Sequence, residues 1–168
     1  MRDRLTGIDT KEISLRNGTL ADCEGCTFEL CLHYGEQDSC FYGGVMVEEV
    51  YPALRDADAL LMVCPNYNDA LGANLTAFIN RLTAMYRAHP FSDKALFAIV
   101  VSGYSGSDML ASQLIAALNM NKSFYLPPRF CFAATAHEPG SAMRIPGIEK
   151  QIDTFAKRIQ NQMLDEKK

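Results

Sequence analysis

The chain has 168 residues, enough for one domain that buries most of the surface its unfolded form would expose, with no need of a disulfide framework. Its apolar fraction of 48% and charged fraction of 21% are those of an ordinary globular protein, and its apolar runs are too short to cross a bilayer. A net charge of −4 with both signs interspersed leaves no basic stripe for a phosphate backbone, which argues against nucleic acid as a partner and, with the short apolar runs, against a membrane.

The amino terminus, Met1-Arg2-Asp3-Arg4-Leu5, is charged and has no apolar stretch behind it. It does not read as a secretory signal, and a cytoplasmic protein is expected. Lys11-Glu12-Ile13-Ser14-Leu15 alternates polar and apolar residues, the pattern of an outer strand. A polar window with four cysteines, Cys23, Cys26, Cys31 and Cys40, follows. Val47, Val50, Tyr51 and Leu54 then step at helical spacing. Ala59 to Cys64 is an apolar run, as expected of a strand covered on both faces, and it stops at the turn Pro65-Asn66-Tyr67-Asn68. Leu71, Leu75, Phe78, Ile79, Leu82 and Tyr86 mark a helix that Pro90 ends. Ala95 to Ser102 repeats the buried-strand pattern and runs into a second turn, Ser102-Gly103-Tyr104-Ser105-Gly106. Leu110, Leu114 and Leu118 give another helix, which Asp108 is placed to cap. Phe130 to Ala134 is the last strand. Ile148, Ile152, Phe155, Ile159 and Met163 form the last helix, with Pro146 where it begins and Asp165-Glu166-Lys167-Lys168 as its fraying end.

Strand and helix thus alternate, which predicts an α/β fold: a mostly parallel sheet with helices on both faces and right-handed crossovers. No linker, repeat or low-complexity tract divides it, so residues 1–168 read as a single domain. In open sheets of this kind, ligands bind beyond the carboxyl ends of the strands. The turns at Pro65–Asn68 and Ser102–Gly106 stand there, and Gly103 and Gly106 allow the backbone to approach a flat ligand. Tyr67 and Tyr104 can pack against such a ligand; the plainer alternative is two polar strand-to-helix turns with tyrosines at an interface.

The chain has six cysteines. Cys64 and Cys131 lie in strand-like runs and read as small core residues. The other four, spaced Cys23-x2-Cys26-x4-Cys31-x8-Cys40 on a stretch containing Gly25 and Gly35, can wrap a tetrahedral centre. Four thiolates suit a [4Fe–4S] cluster or structural zinc, and an unmetallated remnant or a Cys23–Cys26 redox pair are further options. His33 is the nearest alternative ligand, while His89 and His137 read as surface residues, as do the carboxylates Asp69 and Glu138. Apolar residues around the cysteines, Phe28, Leu30, Leu32, Phe41 and Tyr42, predict a surface that meets another subunit, hence a homo-oligomer.

Taken together, Cys23-Glu-Gly-Cys26, Arg55-Asp56-Ala57-Asp58-Ala59, Pro65-Asn66-Tyr67 and Phe78-Ile79-Asn80-Arg81 resemble the flavodoxin-like NADPH-dependent FMN reductases and their relatives, the iron–sulfur flavoproteins. The resemblance runs from about Ile13 to the last helix. It implies a three-layer flavodoxin-like fold, with FMN between Pro65-Asn66-Tyr67-Asn68 and Ser102-Gly103-Tyr104-Ser105-Gly106. It also implies hydride transfer from NAD(P)H to the flavin, then electron delivery to a small acceptor or to a cluster on Cys23, Cys26, Cys31 and Cys40. No catalytic acid or base is expected, because the cofactor carries the chemistry.

The chain also departs from that pattern. Relatives begin with a strand, a phosphate-binding loop and a helix; here the first strand-like segment matches their second, so the first βα unit is expected to be missing. In a sheet of order 2-1-3-4-5 that strand is interior, and the gap is expected to be filled by another chain's strand or closed by altered pairing. Thr76 and Asn80 stand where lysine and aspartate are common, and the cysteine spacing is looser than usual. No Gly-x-Gly-x-x-Gly fingerprint is present, so a nicotinamide donor would stack transiently on the flavin. The alternative function is a flavodoxin-like interaction or metal-binding module that has lost FMN.

Overall fold

Each of the apolar runs becomes a strand, because a segment apolar on both faces is stable only between two layers. In the computed structural model, which describes residues 1–16 and 20–165, β1 is Ala59–Asn66, β2 is Ala95–Ser102 and β3 is Cys131–Thr135. The strands are parallel, in the order β1-β2-β3. Asn66 lies opposite Ser102 and Ser102 opposite Thr135, so the carboxyl ends finish level along one edge of the sheet.

The helices are α1, Phe28–Gly35; α2, Tyr51–Asp56, entered through a π-helical turn at Met46–Val50; α3, Ala73–Ala88; α4, Ser107–Leu114, continued by π-helical turns at Ile115–Met120; and α5, Ile148–Asp165. On one face of the sheet, Met62, Cys64, Leu96, Ala98 and Val100 join Tyr51, Phe78, Leu82, Leu110 and Leu114 in the larger core. On the other, Ala95 and Phe97 meet Phe155, Ile159 and Met163 of α5, with the Phe97 and Phe155 rings edge to face at 6.2 Å. The result is the three-layer α/β arrangement of a flavodoxin-like fold.

Three expectations change. Lys11–Leu15 is not a strand: it has no ladder bonds and Leu15 lies in a turn, although Ile13 and Leu15 still tuck against the larger core. Its period of two reports burial, but a ladder needs a neighbouring strand, and among the described residues none lies alongside it. Met1, Leu5 and Ile8 pack with the α5 cluster, so this segment passes from one face of the sheet to the other, held by Arg4 on Asp153 and by Gln160 on the Thr6 carbonyl at 2.7 Å. Asp108 does not cap α4; Gly106 does, at φ +81°, and Asp108 sits in the first turn where its charge suits the helix dipole. The last strand is displaced by one residue, to Cys131–Thr135. Glu166 to Lys168, expected as a fraying end, lie outside the described residues. No described helix is long and apolar enough to cross a membrane.

The unforeseen element is α1. Its N-cap, Thr27, accepts the Leu30 N–H at 3.3 Å, and Gly35 ends it where any side chain would strike the Ala84 carbonyl of α3. A Cβ there would lie 2.1 Å from that oxygen, so the close contact between α1 and α3 depends on glycine. This contact sets the cysteine-bearing segment against α3.

Candidate functional site

Two groups of residues stand out, one at the carboxyl ends of the strands and one beneath α1. At the first, Asn66 is the organising side chain. Its amide nitrogen donates to the Ser105 carbonyl at 2.8 Å, to Ser102 Oγ at 3.1 Å and to Asp69 Oδ1 at 3.2 Å, and its oxygen accepts the Asp69 N–H at 2.8 Å. Both turns are therefore locked by one residue at the last position of β1. Ser102, fully buried, passes the connection on to Ser107 Oγ at 2.8 Å in α4. Gln113 of α4 completes the frame, donating to the Asp69 carbonyl at 2.9 Å and accepting the Leu71 N–H at 3.0 Å.

The predicted flavin-site residues thus separate into two roles. Asn66, Ser102 and Gly106 are braces: a Cβ on Gly106 would lie 1.7 Å from Asp69 Oδ1. Pro65, Tyr67, Asn68, Tyr104 and Ser105 face outward, with Tyr67 82% and Tyr104 85% exposed. Gly103 lies between, its Cβ position 3.7 Å from His137 Nδ1. Sequence reasoning missed Gln113 and the bracing role of Asp69, which takes φ +51° to reach Asn66. Gln113 carries no signal in the sequence; the spacing Asn66-x-x-Asp69 is that of a side chain closing a turn on a nearby backbone amide, and was legible.

These residues fit the ring of FMN. Two exposed aromatic faces and the open backbone of two turns meet at the strand ends, where a planar ligand can lie. Neither turn contains a lysine or arginine, and their backbone and aromatic faces suit a flat ring system. Beside them, Thr135 to Glu138, Ser141, Arg144 and Ile145 line a depression of about 320 Å³. His137 reaches it, its ring 6.3 Å from that of Tyr104, and Glu138 pairs with Arg144 at 3.4 Å on the surface.

At the second group, all four clustered cysteines line a single open cavity of about 290 Å³, together with Gly25, Tyr42, Asn80, Arg81, Thr83, Ala84 and Arg87. The chain closes this loop on itself through Tyr42 Oη, which donates to the Gly25 carbonyl at 2.9 Å. Burial pushes the Cys31 thiol up, opposed by the Arg87 guanidinium and helped by the neighbouring Cys26. Among the described residues, no three His, Cys, Asp or Glu side chains converge on one point as a ready ion site. The four thiols line one cavity, with Cys26 and Cys31 within side-chain hydrogen-bond reach of each other. Four thiols on one cavity are donors of the kind that a [4Fe–4S] cluster or a zinc ion takes. His33 instead pairs with Gln37 at 3.0 Å, on the exposed side of α1.

The family model described as NADPH-dependent FMN reductase matches residues 1–138. The chain belongs to that family. Among its relatives is an iron–sulfur flavoprotein of Archaeoglobus fulgidus, 28% identical over an alignment of 122 positions that covers 68% of this chain and 58% of that protein. The chain therefore spans well under two thirds of that relative's length. As a member of the FMN reductase family it has its open turns, Pro65–Asn68 and Ser102–Gly106, where open α/β sheets hold their ligands.

Proposed function

We propose that this FMN reductase family member is a flavin-dependent oxidoreductase that takes reducing equivalents from NAD(P)H through FMN and delivers them to a small acceptor or to a [4Fe–4S] cluster. Bound FMN supplies hydride acceptance and onward electron transfer. The observation that carries the reading is the pair of turns fixed by Asn66, with two exposed tyrosines over the carboxyl ends of β1 and β2.

In this reading, Tyr67, Tyr104 and the backbone of Gly103 to Ser105 would hold the ring, and Asn66, Ser102 and Gln113 keep the two turns at a fixed separation. The nicotinamide donor stacks from the side of the depression that His137 and Arg144 border. Cys23, Cys26, Cys31 and Cys40 hold the cluster, and the likeness to an iron–sulfur flavoprotein supports that assignment. Phe28 and Phe41, 59% and 60% exposed beside the cysteine cavity, are the residues that a second copy of the chain covers.

Anaerobic purification, FMN titration by visible absorbance and fluorescence, and analysis of iron, sulfide and zinc test the reading together. Flavin binding with NAD(P)H-dependent bleaching is expected, as is iron with sulfide that disappears in Cys40→Ser. No flavin signal at near-millimolar FMN, on the order of the weakest useful affinity, removes the flavin function. Metal retained in Cys40→Ser removes the four-thiolate assignment.

A further inference from the structure

The Asn80-Arg81 step of α3 has no part in the flavin site, yet it is among the most heavily bonded points of the molecule. Arg81 is 2% exposed. Its Nε donates to Cys40 Sγ at 3.2 Å, Nη1 to the Ala21 carbonyl at 3.0 Å and Nη2 to the Gly43 carbonyl at 2.6 Å. Its guanidinium also lies 5.6 Å from the centre of the Tyr42 ring. The backbone is held as well, since Tyr51 Oη donates to the Arg81 carbonyl at 2.5 Å. One residue earlier, Asn80 Nδ2 donates to Asp22 Oδ1 at 3.0 Å, and that same oxygen accepts the Cys23 N–H at 2.7 Å.

These bonds end on Ala21, Asp22, Cys40 and Gly43, the two borders of the segment that bears all four thiols. A single turn of α3 therefore ties both ends of that segment together. Ordering such a loop costs conformational entropy, and a clamp at its base meets that cost before any ligand arrives. The charge is equally informative. Among the described residues no carboxylate pairs with the Arg81 guanidinium; its partners are carbonyls, a thiol and a ring. A buried cation is stable when an anion stands beside it, and thiolates ligating a metal provide that charge.

We propose that Asn80 and Arg81 are positioning residues of the four-cysteine site: together they fix the two ends of the Ala21–Gly43 segment, and Arg81 holds the Cys40 sulfur by an N–H···S bond. The proposal rests on the reading that these thiols bind a metal centre. Such outer partners orient the ligands and tune the centre, and their loss typically costs about 10–100-fold in metal affinity. An N–H donated to a ligating sulfur also favours the more negative, reduced state of a cluster. Arg81→Lys keeps the charge but has no planar fork to reach Ala21, Cys40 and Gly43 at once. Asn80→Ala alters an exposed side chain and leaves the core intact.

The test is anaerobic reconstitution of the wild-type chain, Asn80→Ala and Arg81→Lys with iron and sulfide, followed by chelator challenge and redox titration. Both variants are expected to lose the centre at about tenfold lower chelator concentration, and Arg81→Lys to show a more negative potential; metal-free Asn80→Ala should melt near wild type and metal-free Arg81→Lys lower, because buried bonds to Ala21, Cys40 or Gly43 are lost. Wild-type affinity and potential in both variants overturn the proposal. A wild-type chain that takes up neither iron nor zinc overturns the metal reading separately. The clamp is then read from alkylation in the metal-free chain: Cys40 should react at least tenfold faster in Arg81→Lys, while buried Cys64 reacts at the wild-type rate. Cys40 labelling unchanged in both variants overturns the clamp; Cys64 labelled faster in Arg81→Lys marks unfolding and leaves Asn80→Ala as the deciding variant.

Discussion

Replacing Asn66 by alanine separates a brace from a ligand contact. The substitution deletes amide donors to the Ser105 carbonyl, Ser102 Oγ and Asp69 Oδ1, and the acceptor of the Asp69 N–H. Two amide hydrogens serve the first group, so about three bonds are lost. At about 1 kcal/mol each, toward the low end because the turns border solvent, the cost is about 2–3 kcal/mol. For a chain of this size about 2–4 °C accompanies each kcal/mol, so the melting temperature should fall by about 4–12 °C. Flavin affinity should fall with it, since both turns lose their separation. Calorimetry and FMN titration on the same preparation decide. A variant that melts like wild type but no longer binds FMN would show that Asn66 is a ligand contact, and the bracing argument would be wrong.

Tyr67→Ala and Tyr104→Ala should do the opposite. Each exposed ring contributes through stacking alone, so FMN affinity should drop about 3–10-fold in each. Stability should stay within about 0.5 kcal/mol, as checked by urea unfolding. Gly106→Ala should cost about 2 kcal/mol or more, because φ is +81° and the new methyl carbon would meet Asp69 Oδ1 and the Asn66 amide; calorimetry reads this. Burial, aided by neighbouring Cys131, pushes the Cys64 thiol up to about 12. The folded state then keeps a proton that the unfolded thiol gives up near its ordinary value of ~9. Cys64 therefore adds stability below about pH 9 that is lost as pH rises towards about 12, at no more than ~1.4 kcal/mol per pH unit. Urea midpoints of Cys64→Ala across that range should decline less steeply than wild type, with a residual slope from Tyr51, whose phenol burial also pushes up.

The parallel strands and most helices were legible because their signal is local. Ala59–Cys64 and Ala95–Ser102 are apolar on both faces, and Phe78 with Leu82, like Phe155 with Ile159, repeat at helical spacing. Lys11–Leu15 misled because alternation records which side chains are buried and is silent on whether a neighbouring strand exists to complete the ladder. α1 was overlooked although Thr27 offers a cap; four cysteines with flanking glycines looked like loop, and tertiary contact with α3 decided otherwise. At the flavin turns the positions were readable from strand ends, but the division into inward braces and outward faces was not. Asn66 is distant in sequence from Ser107 and Gln113 of α4, and the crossover links it to them through Ser102 and Asp69. The likeness of Phe78-Ile79-Asn80-Arg81 to a family motif was visible without its reason. Only the folded chain brings Arg81 to Cys40.

The position of bound FMN decides whether the two turns are its site. A titration of the isotopically labelled chain with FMN, followed by amide nuclear magnetic resonance, locates it residue by residue. The amides of Tyr67, Asn68 and Gly103 to Gly106 should shift in a saturable manner, with those of α5 unmoved. Unchanged amides in both turns at near-millimolar FMN, or saturable shifts confined to another part of the molecule, would contradict the assignment of this site.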